Sequence, residues 1–308
     1  MAETVSLVYD GDPAARRLDA WLATRLESIS RSRVQALMDS GAVTCRGEPL
    51  APRSRLKPGA EIAVALPDPV PAEPVPQDIP LDILYEDDFV IVVNKPAGMV
   101  VHPAPGHPDS TFVNALLFHC GGGLKGVGGV ARPGIVHRLD MDTTGIIVAA
   151  KDEASLNSLA AQFQAHSTEK TYLAIVHGDI ARASGSVSAP IGRHPADRKR
   201  MCANPPSGGK EAFTRWRTLR RLGRTTLLEV GILTGRTHQI RVHLSYSGMP
   251  IVGDPVYGNR GLDATIPGCP RRQMLHAARF SFDHPKTGRR MVFEAPPPED
   301  FRRLAGHA

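Results

Sequence analysis

The residues best equipped for chemistry lie in one stretch, Arg132–Lys151, which reads RPGIVHRLDMDTTGIIVAAK. Between the apolar runs Gly134–Val136 and Ile146–Ala150 stand His137, Arg138, Asp140, Asp142, Thr143 and Thr144. Gly145 follows and lets the chain turn. Apolar runs of this length, bounded by Gly and Pro, read as buried strands. The polar segment is then a strand end or loop on a rigid support, where catalytic side chains are commonly carried. A carboxylate so placed can serve as a covalent nucleophile. The plain reading of the same residues is a solvated loop with a structural Arg–Asp pair. A second stretch, TGRTHQIRVHL at 234–244, reads as a strand-to-helix junction. There Thr237 and Arg241, four apart, are expected on one helical face and Ile240 and Leu244 on another.

The elements that must position these residues are legible around them. A chain of 308 residues with 42% hydrophobic residues suggests two domains. Leu81–Val93, with its core at Phe89–Val93, reads as a strand, and Asn94–Gly98 as a turn. Thr111–His119 and Ala154–His166 have helical spacing, Lys170–Val176 alternates as a strand, and Thr225–Leu233 reads as another. The GGGLKGVGG segment at 121–129 contains a formal G-x-G-x-x-G, but no strand precedes it closely, so a loop is expected. Residues 193–210, polar, basic and rich in Gly and Pro, are expected to form a surface loop. Residues 67–80 contain six prolines and no aromatic, the composition of an extended, semi-rigid spacer between domains.

Charge and cysteine usage narrow the function classes. The net charge is +6, but residues 91–308 carry 28 basic and 16 acidic side chains, a surplus of 12 that points to a polyanion partner such as nucleic acid. Arg outnumbers Lys 29 to 8, which suits phosphate recognition, although biased codon usage explains the same excess. Four scattered cysteines form no C-x-x-C pair, and twelve histidines form no H-E-x-x-H, which argues against such zinc sites. No apolar run approaches the roughly 18 residues of a membrane span. The N-terminus has acids and no basic n-region, so a cytoplasmic location is expected.

Near the N-terminus, Asp12-Pro13 reads as a helix start, and Leu18, Trp21, Leu22 and Leu26 recur at helical spacing. Ser30 is placed to cap a second helix with Val34, Leu37 and Met38 on its apolar face, ending near Gly41. Strands are expected around Val43–Cys45 and Glu61–Leu66. Residues 16–66 carry 9 basic and 5 acidic side chains. The R-L-D, S-R-S-R, G-A-V and K-P-G segments make this stretch resemble the S4 RNA-binding domain over nearly its whole length. The resemblance implies that the second helix and following loop contact structured RNA, with Arg31, Arg33, Arg46 and Lys57 as candidate contacts. The bland counterpart is a small helical cap with a solvated charged face.

Two family patterns meet at Asp140 and Asp142. The segment D-M-D-T-T fits the D-x-D-x-T of haloacid-dehalogenase-type phosphatases, which pair an Asp nucleophile with magnesium; that pattern normally ends a hydrophobic strand and leads into a helix, whereas here another strand is expected after it. The longer strings IPLDILYEDDFVIVVNKPAGMVVHP, GIVHRLDMDTTGIIVAAK, EKTYLAIVHG, IGRHP, LTGRTHQIRVHLSYSGMPIVGDPVYG and LHAARFSFDHPKTG resemble the RluA-type pseudouridine synthases, nearest to the type that acts on large-subunit (23S) ribosomal RNA. The resemblance spans almost the whole chain; Met141 departs from it, standing where relatives often have a basic residue. It implies a fold of the α/β (α+β) class: a mixed, mostly antiparallel sheet catalytic domain of pseudouridine synthase type at 81–308, a small N-terminal S4 (α-L) domain at 12–66, and a linker at 67–80.

It also implies roles. Asp140 is the nucleophile, Arg241 its cationic partner, and Tyr172 the active-site tyrosine that stacks on uracil or accepts the C5 proton. Arg138 fills the gap left by a flipped uridine, and His137 is structural. Isomerising uridine breaks the N-glycosidic bond and rejoins ribose to C5. The reaction is redox-neutral and needs no ATP, so no cofactor or metal is expected. Attack at the anomeric carbon and attack at the pyrimidine ring both remain open. The expected partner is ribosomal RNA, free or in an assembling subunit, with the protein acting as a monomer. A non-catalytic RNA-binding or ribosome-assembly factor is the competing class, and a magnesium phosphatase the third.

Overall fold

The computed structural model describes residues 3–11, 17–26, 29, 31–66, 74–104, 106–121, 123–124, 127–128, 133–197 and 200–306, without the side chains of Ser32 and Arg33. The expected helix start at Asp12-Pro13 and the Ser30 cap lie outside the described residues, as does part of the Gly-rich loop. The chain divides into two compact units, Met1–Pro71 and Ala72–Ala308.

In the first unit, β1 (Glu3–Val8), α1 (Leu18–Arg25), α2 (Arg31–Asp39), β2 (Val43–Cys45), β3 (Glu48–Pro49) and β4 (Glu61–Leu66) follow in order. The strands form an antiparallel sheet in the order β1-β4-β2-β3. Strand β1, whose register on β4 runs from Glu3↔Leu66 to Val8↔Glu61, was not foreseen, so the unit begins before residue 12. Its edge position explains why the alternation is weak: Val8 is 62% exposed, while the partner strand buries Ile62 and Val64 fully. The apolar faces of α1 and α2 supply Leu18, Trp21, Leu22, Val34 and Leu37 to this core. Within it Asp19 is buried, accepting hydrogen bonds from Arg17, Arg31 and Gln35, which hold its carboxyl well below the usual range despite burial.

The second unit runs β5 (Ile83–Glu86), β6 (Val90–Lys95), α3 (Phe112–His119), β7 (Thr144–Ala150), α4 (Glu153–Gln164), β8 (Glu169–His177), β9 (Ser184–Ser188), β10 (Ile191–Arg193) and β11 (Met201–Ala203). It continues with β12 (Phe213–Arg221), β13 (Thr225–Ile232), α5 (Gln239–Tyr246), α6 (Arg260–Asp263), β14 (Leu275–Asp283), β15 (Arg290–Glu294) and α7 (Glu299–Ala305). Nine strands form one sheet, β5-β6-β7-β14-β8-β13-β12-β9, with β15 also on β14. Every pairing in it is antiparallel except β7 with β14.

Strand periodicity explains the layers. Along β6, Ile91 and Val93 face one core with α3, α5 and α7, while Val90 and Val92 face another with α4. Strand β7 divides the same way, Ile147 and Ala149 against Ile146, Val148 and Ala150. All seven β7 residues are buried, so its sequence is a continuous apolar run with no alternation. Each fully buried Ile or Val among them contributes about 1.5–3 kcal/mol on burial.

Several expected boundaries move. Leu81–Val93 is not one strand but the hairpin β5–β6, because Asp87 accepts the backbone N–H groups of Phe89 and Val90 and turns the chain. Gly134–Val136 is not a strand; it makes one bridge, Ile135↔Ala149. The stretch 193–210 is not simply a loop, since β11 pairs with β10 from Ile191↔Ala203 to Arg193↔Met201. Part of the proline-rich stretch is docked: Gln77 N–H donates to Asn114 O, and Asn114 Nδ2 donates to Val75 O. A chain that forms no regular structure still needs partners for its backbone groups, and the start of α3 supplies them.

Candidate active site

Asp140 is carried by a loop that leads into the N-terminal end of β7, and the loop is fastened at successive carbonyls. Thr143 N–H donates to Asp140 O at 3.1 Å. Lys95 Nζ donates to Met141 O at 2.9 Å, and also to Pro96 O and Met99 O. Arg272 Nη1 donates to Asp142 O at 3.3 Å while its other nitrogens bind Asp300. Lys95 is fully buried and its three N–H bonds meet three carbonyls; burial pulls its pKa down to about 7 against the opposing pull of Asp142 and Asp140.

The entry to β7 is fixed as well. Gln273 Nε2 donates to Thr143 Oγ1, and His276 Nε2 donates to Ala295 O, leaving Nδ1 to accept from Thr144 Oγ1 at 2.8 Å. Gly145 has φ +109°, and a Cβ there would lie 2.3 Å from Ala277 O. Only glycine allows β7 and β14 to meet in parallel at that point.

Tyr172 comes from β8, two strands away across β14, and is buried. Burial and the Asp140 charge raise its pKa far above the ordinary phenol value, so it is a neutral phenol. Arg241 comes from α5. The helix starts at Gln239 rather than at Thr237, because His238 takes a left-handed conformation, φ 55° and ψ 23°, at the N-cap. Thr237 therefore shares no helical face with Arg241. Buried Gln239 secures the turn: its Oε1 accepts from Thr234 Oγ1 and Arg236 N–H, and its Nε2 donates to Phe213 O.

Arg241 Nη1 donates to Asp140 Oδ2 at 2.9 Å, while Nε and Nη2 bind Asp254 in a fork at 2.7 and 2.8 Å. Arg241 is 5% exposed; burial opposes its charge, but two carboxylates outweigh it. Asp254 is also buried, which works to raise its pKa, yet Arg241 and the N–H groups of Val256 and Tyr257 keep it lowered and ionised. The Tyr257 ring lies under the guanidinium, 5.1 Å from its centroid.

His238 completes the surround, with Nε2 3.9 Å from Asp140 Oδ1 and Nδ1 2.8 Å from Tyr257 Oη. Tyr257 Oη accepts Met201 N–H and so has its own proton to give His238 Nδ1. Burial lowers the His238 pKa more than Asp140 raises it. Neutral His238 then carries its proton on Nε2, the side facing Asp140.

One carboxylate oxygen of Asp140 is thus tied to a fixed cation, and the residue lines a cleft of about 500 Å³ with Arg138, Tyr172, His238 and Ile232. The Asp140 side chain is largely buried but keeps 17% of its surface exposed. Arg138 is exposed and makes no ion pair or hydrogen bond among the described residues, so the Arg–Asp pair of the plain reading does not form. His137 packs in a three-ring cluster with Phe163 and Phe280, and its Nε2 accepts Val148 N–H; burial lowers its pKa to about 3. In the first unit, Arg31 is half exposed but bound through Nε to Asp19, and Arg46 and Lys57 are exposed in turns. The Arg33 side chain lies outside the described residues.

Asp140 and Asp142 precede a strand, not a helix, which is not the setting of the phosphatase pattern. A family model described as RNA pseudouridylate synthase matches residues 89–246, which include Asp140, Tyr172 and Arg241. The chain belongs to that family. It is 48% identical over 291 residues to an uncharacterized RNA pseudouridine synthase of Synechocystis, covering 94% of this chain and 88% of the relative. It is 45% identical to the ribosomal large subunit pseudouridine synthase D of Zymomonas mobilis, covering 94% and 92%. Among solved structures, human RNA pseudouridylate synthase domain containing 1 superposes with a TM-score of 0.57 at 26% identity, covering 71% of this chain and 84% of that one. The chain is therefore an RluA-type RNA pseudouridine synthase, an isomerase.

Within that family setting, the residues that sequence reasoning passed over are Asp254, Tyr257, His238, Lys95, Arg272, Gln273 and His276. Asp254 and Tyr257 lie in GDPVYG and Lys95 in NKPAG, polar side chains inside Gly- and Pro-rich turns. That placement was the signal available, since a turn needs no buried charge.

Proposed function

We propose that this protein isomerises specific uridines of large-subunit ribosomal RNA to pseudouridine, with Asp140 as nucleophile. The observation that carries the reading is the anchored carboxylate: Asp140 Oδ2 is held by the clamped Arg241, and Asp140 lines the cleft beside Tyr172 and Arg138. Nearly full-length similarity to a ribosomal large subunit pseudouridine synthase D supports the substrate class.

The target uridine leaves its stack, at a cost of a few kcal/mol, and enters the cleft. Arg138, exposed at the rim and unpaired among the described residues, takes its place. Tyr172 supports the uracil ring. Asp140 attacks C1′ as the C1′–N1 bond breaks, uracil turns, C5 bonds to C1′ as the ester bond to Asp140 breaks, and the C5 proton passes to the freed carboxylate or to water. Exposed basic side chains of the first unit, Arg46 and Lys57 among them, add sequence-independent contacts in the manner of an S4 domain.

The test is pseudouridine mapping in ribosomal RNA from cells with and without the protein. Specific large-subunit pseudouridines should vanish on deletion and return with wild type. Asp140→Asn should fold and bind RNA nearly as wild type yet restore none of them. Restoration by Asp140→Asn, or an unchanged map on deletion, refutes the reading.

A further inference from the structure

A second and larger cleft, about 1250 Å³, adjoins the first and shares Arg138, Tyr172, Ile232, Gly235 and Arg236 with it. Its remaining walls include His102, His166 and Lys170, and no Asp or Glu lines it. Lys170 is half-buried, with its ammonium 4.9 Å from the Phe163 ring centroid, and no carboxylate or hydrogen-bond acceptor pairs with it among the described residues. The neighbouring Glu169 lies on the opposite side of the strand, with its carboxylate 3.8 Å from Arg290. His137, against the same Phe163 ring, is neutral and offers no countercharge. The Arg236 side chain gives Nε to Glu211 O and has no other side-chain partner among the described residues, so its outer nitrogens can meet an anion.

A desolvated ammonium without a partner costs free energy, and an incoming anion offsets that cost. The ring beneath it and the absence of acids suit one anionic group of a strand whose next base occupies the Asp140 cleft. We propose that this second cleft is a phosphate subsite: Lys170, assisted by Arg236, binds a phosphodiester group flanking the target uridine. The inference rests on the reading of the Asp140 cleft as the uridine site, and it adds the group that fixes which stretch of strand lies beside it.

The experiment uses full-length protein and short RNAs that carry the target, with single uncharged methylphosphonates at each flanking position. One substitution should weaken wild-type binding about tenfold, the loss expected for one charge-assisted bond. Lys170→Met should lose the same factor on unmodified RNA and be indifferent to that one methylphosphonate. Its log–log salt slope should fall by roughly 0.7, one single-strand phosphate contact. Lys170→Arg should retain both affinity and slope.

If no flanking methylphosphonate weakens wild type, the subsite is refuted without recourse to any variant. It is refuted too if the Lys170→Met and methylphosphonate losses multiply at every position. These are binding measurements. A protein that shows them but makes no pseudouridine would leave the phosphate subsite standing and overturn the proposed reaction instead.

Discussion

The Asp140 carboxylate is positioned by a relay that includes a second acid. Asp254 holds two nitrogens of Arg241, and the third reaches Asp140. Breaking a buried pair by removing one partner costs about 3–5 kcal/mol. Asp254→Ala should therefore lower stability by that order in denaturant unfolding and also lower the single-turnover rate. Asp254→Asn, which keeps the shape, should recover much of the stability and less of the rate; equal recovery of both would show that Asp254 only supports the fold. Arg138 behaves differently, because it is exposed and lends no pairing to the fold among the described residues. We predict that Arg138→Ala melts close to wild type but modifies a structured stem-loop far more slowly. Extracting a stacked base costs a few kcal/mol, and each 1.4 kcal/mol lost is a decade in rate. The deficit should shrink on an unpaired oligonucleotide with the same target, and equal fold-losses on both substrates would rule out base replacement.

At the scale of elements, the site depends on how β7 begins. Lys95 ends β6 and reaches the loop before β7, so the two neighbouring strands share responsibility for the Asp140 backbone. The pH dependence of this anchor has a definite sign. Burial lowers the Lys95 pKa to about 7 in the fold, whereas an unfolded lysine titrates near 10.4. Between those values the unfolded chain binds the proton more tightly, so the cost of burying Lys95 is fully present below about pH 7 and is relieved as pH rises. Lys95→Met removes that titration along with three hydrogen bonds. Wild type should thus gain stability relative to Lys95→Met as pH rises from about 7 to about 10, and parallel unfolding free energies across that range would contradict the assignment.

The whole molecule comprises two units, each with its own sheet and core. Residues 72–308 should therefore fold alone with a cooperative unfolding transition. If the first unit contacts RNA, its loss should weaken binding and flatten the salt dependence by roughly 0.7–0.9 per lost phosphate contact. Equal slopes for truncated and full-length protein would remove the first unit from the RNA interface. The sequence by itself determined the local matters: helices α3 and α4 from 3.6-residue spacing, strand β8 from alternation and β13 from its apolar run, while Asp140, Tyr172 and Arg241 were brought forward as candidates by strings long enough to be specific. These follow from periodicity and short-range chemistry, which a linear chain displays. It did not reveal β1, a weakly patterned edge strand, nor the left-handed residue that delays α5 to Gln239. Nor did it single out Asp254, 13 residues beyond Arg241, or His276, 132 beyond Thr144. Their roles exist only once strands distant in sequence become neighbours, because a buried charge is worth keeping only where the fold brings its partner within hydrogen-bond reach.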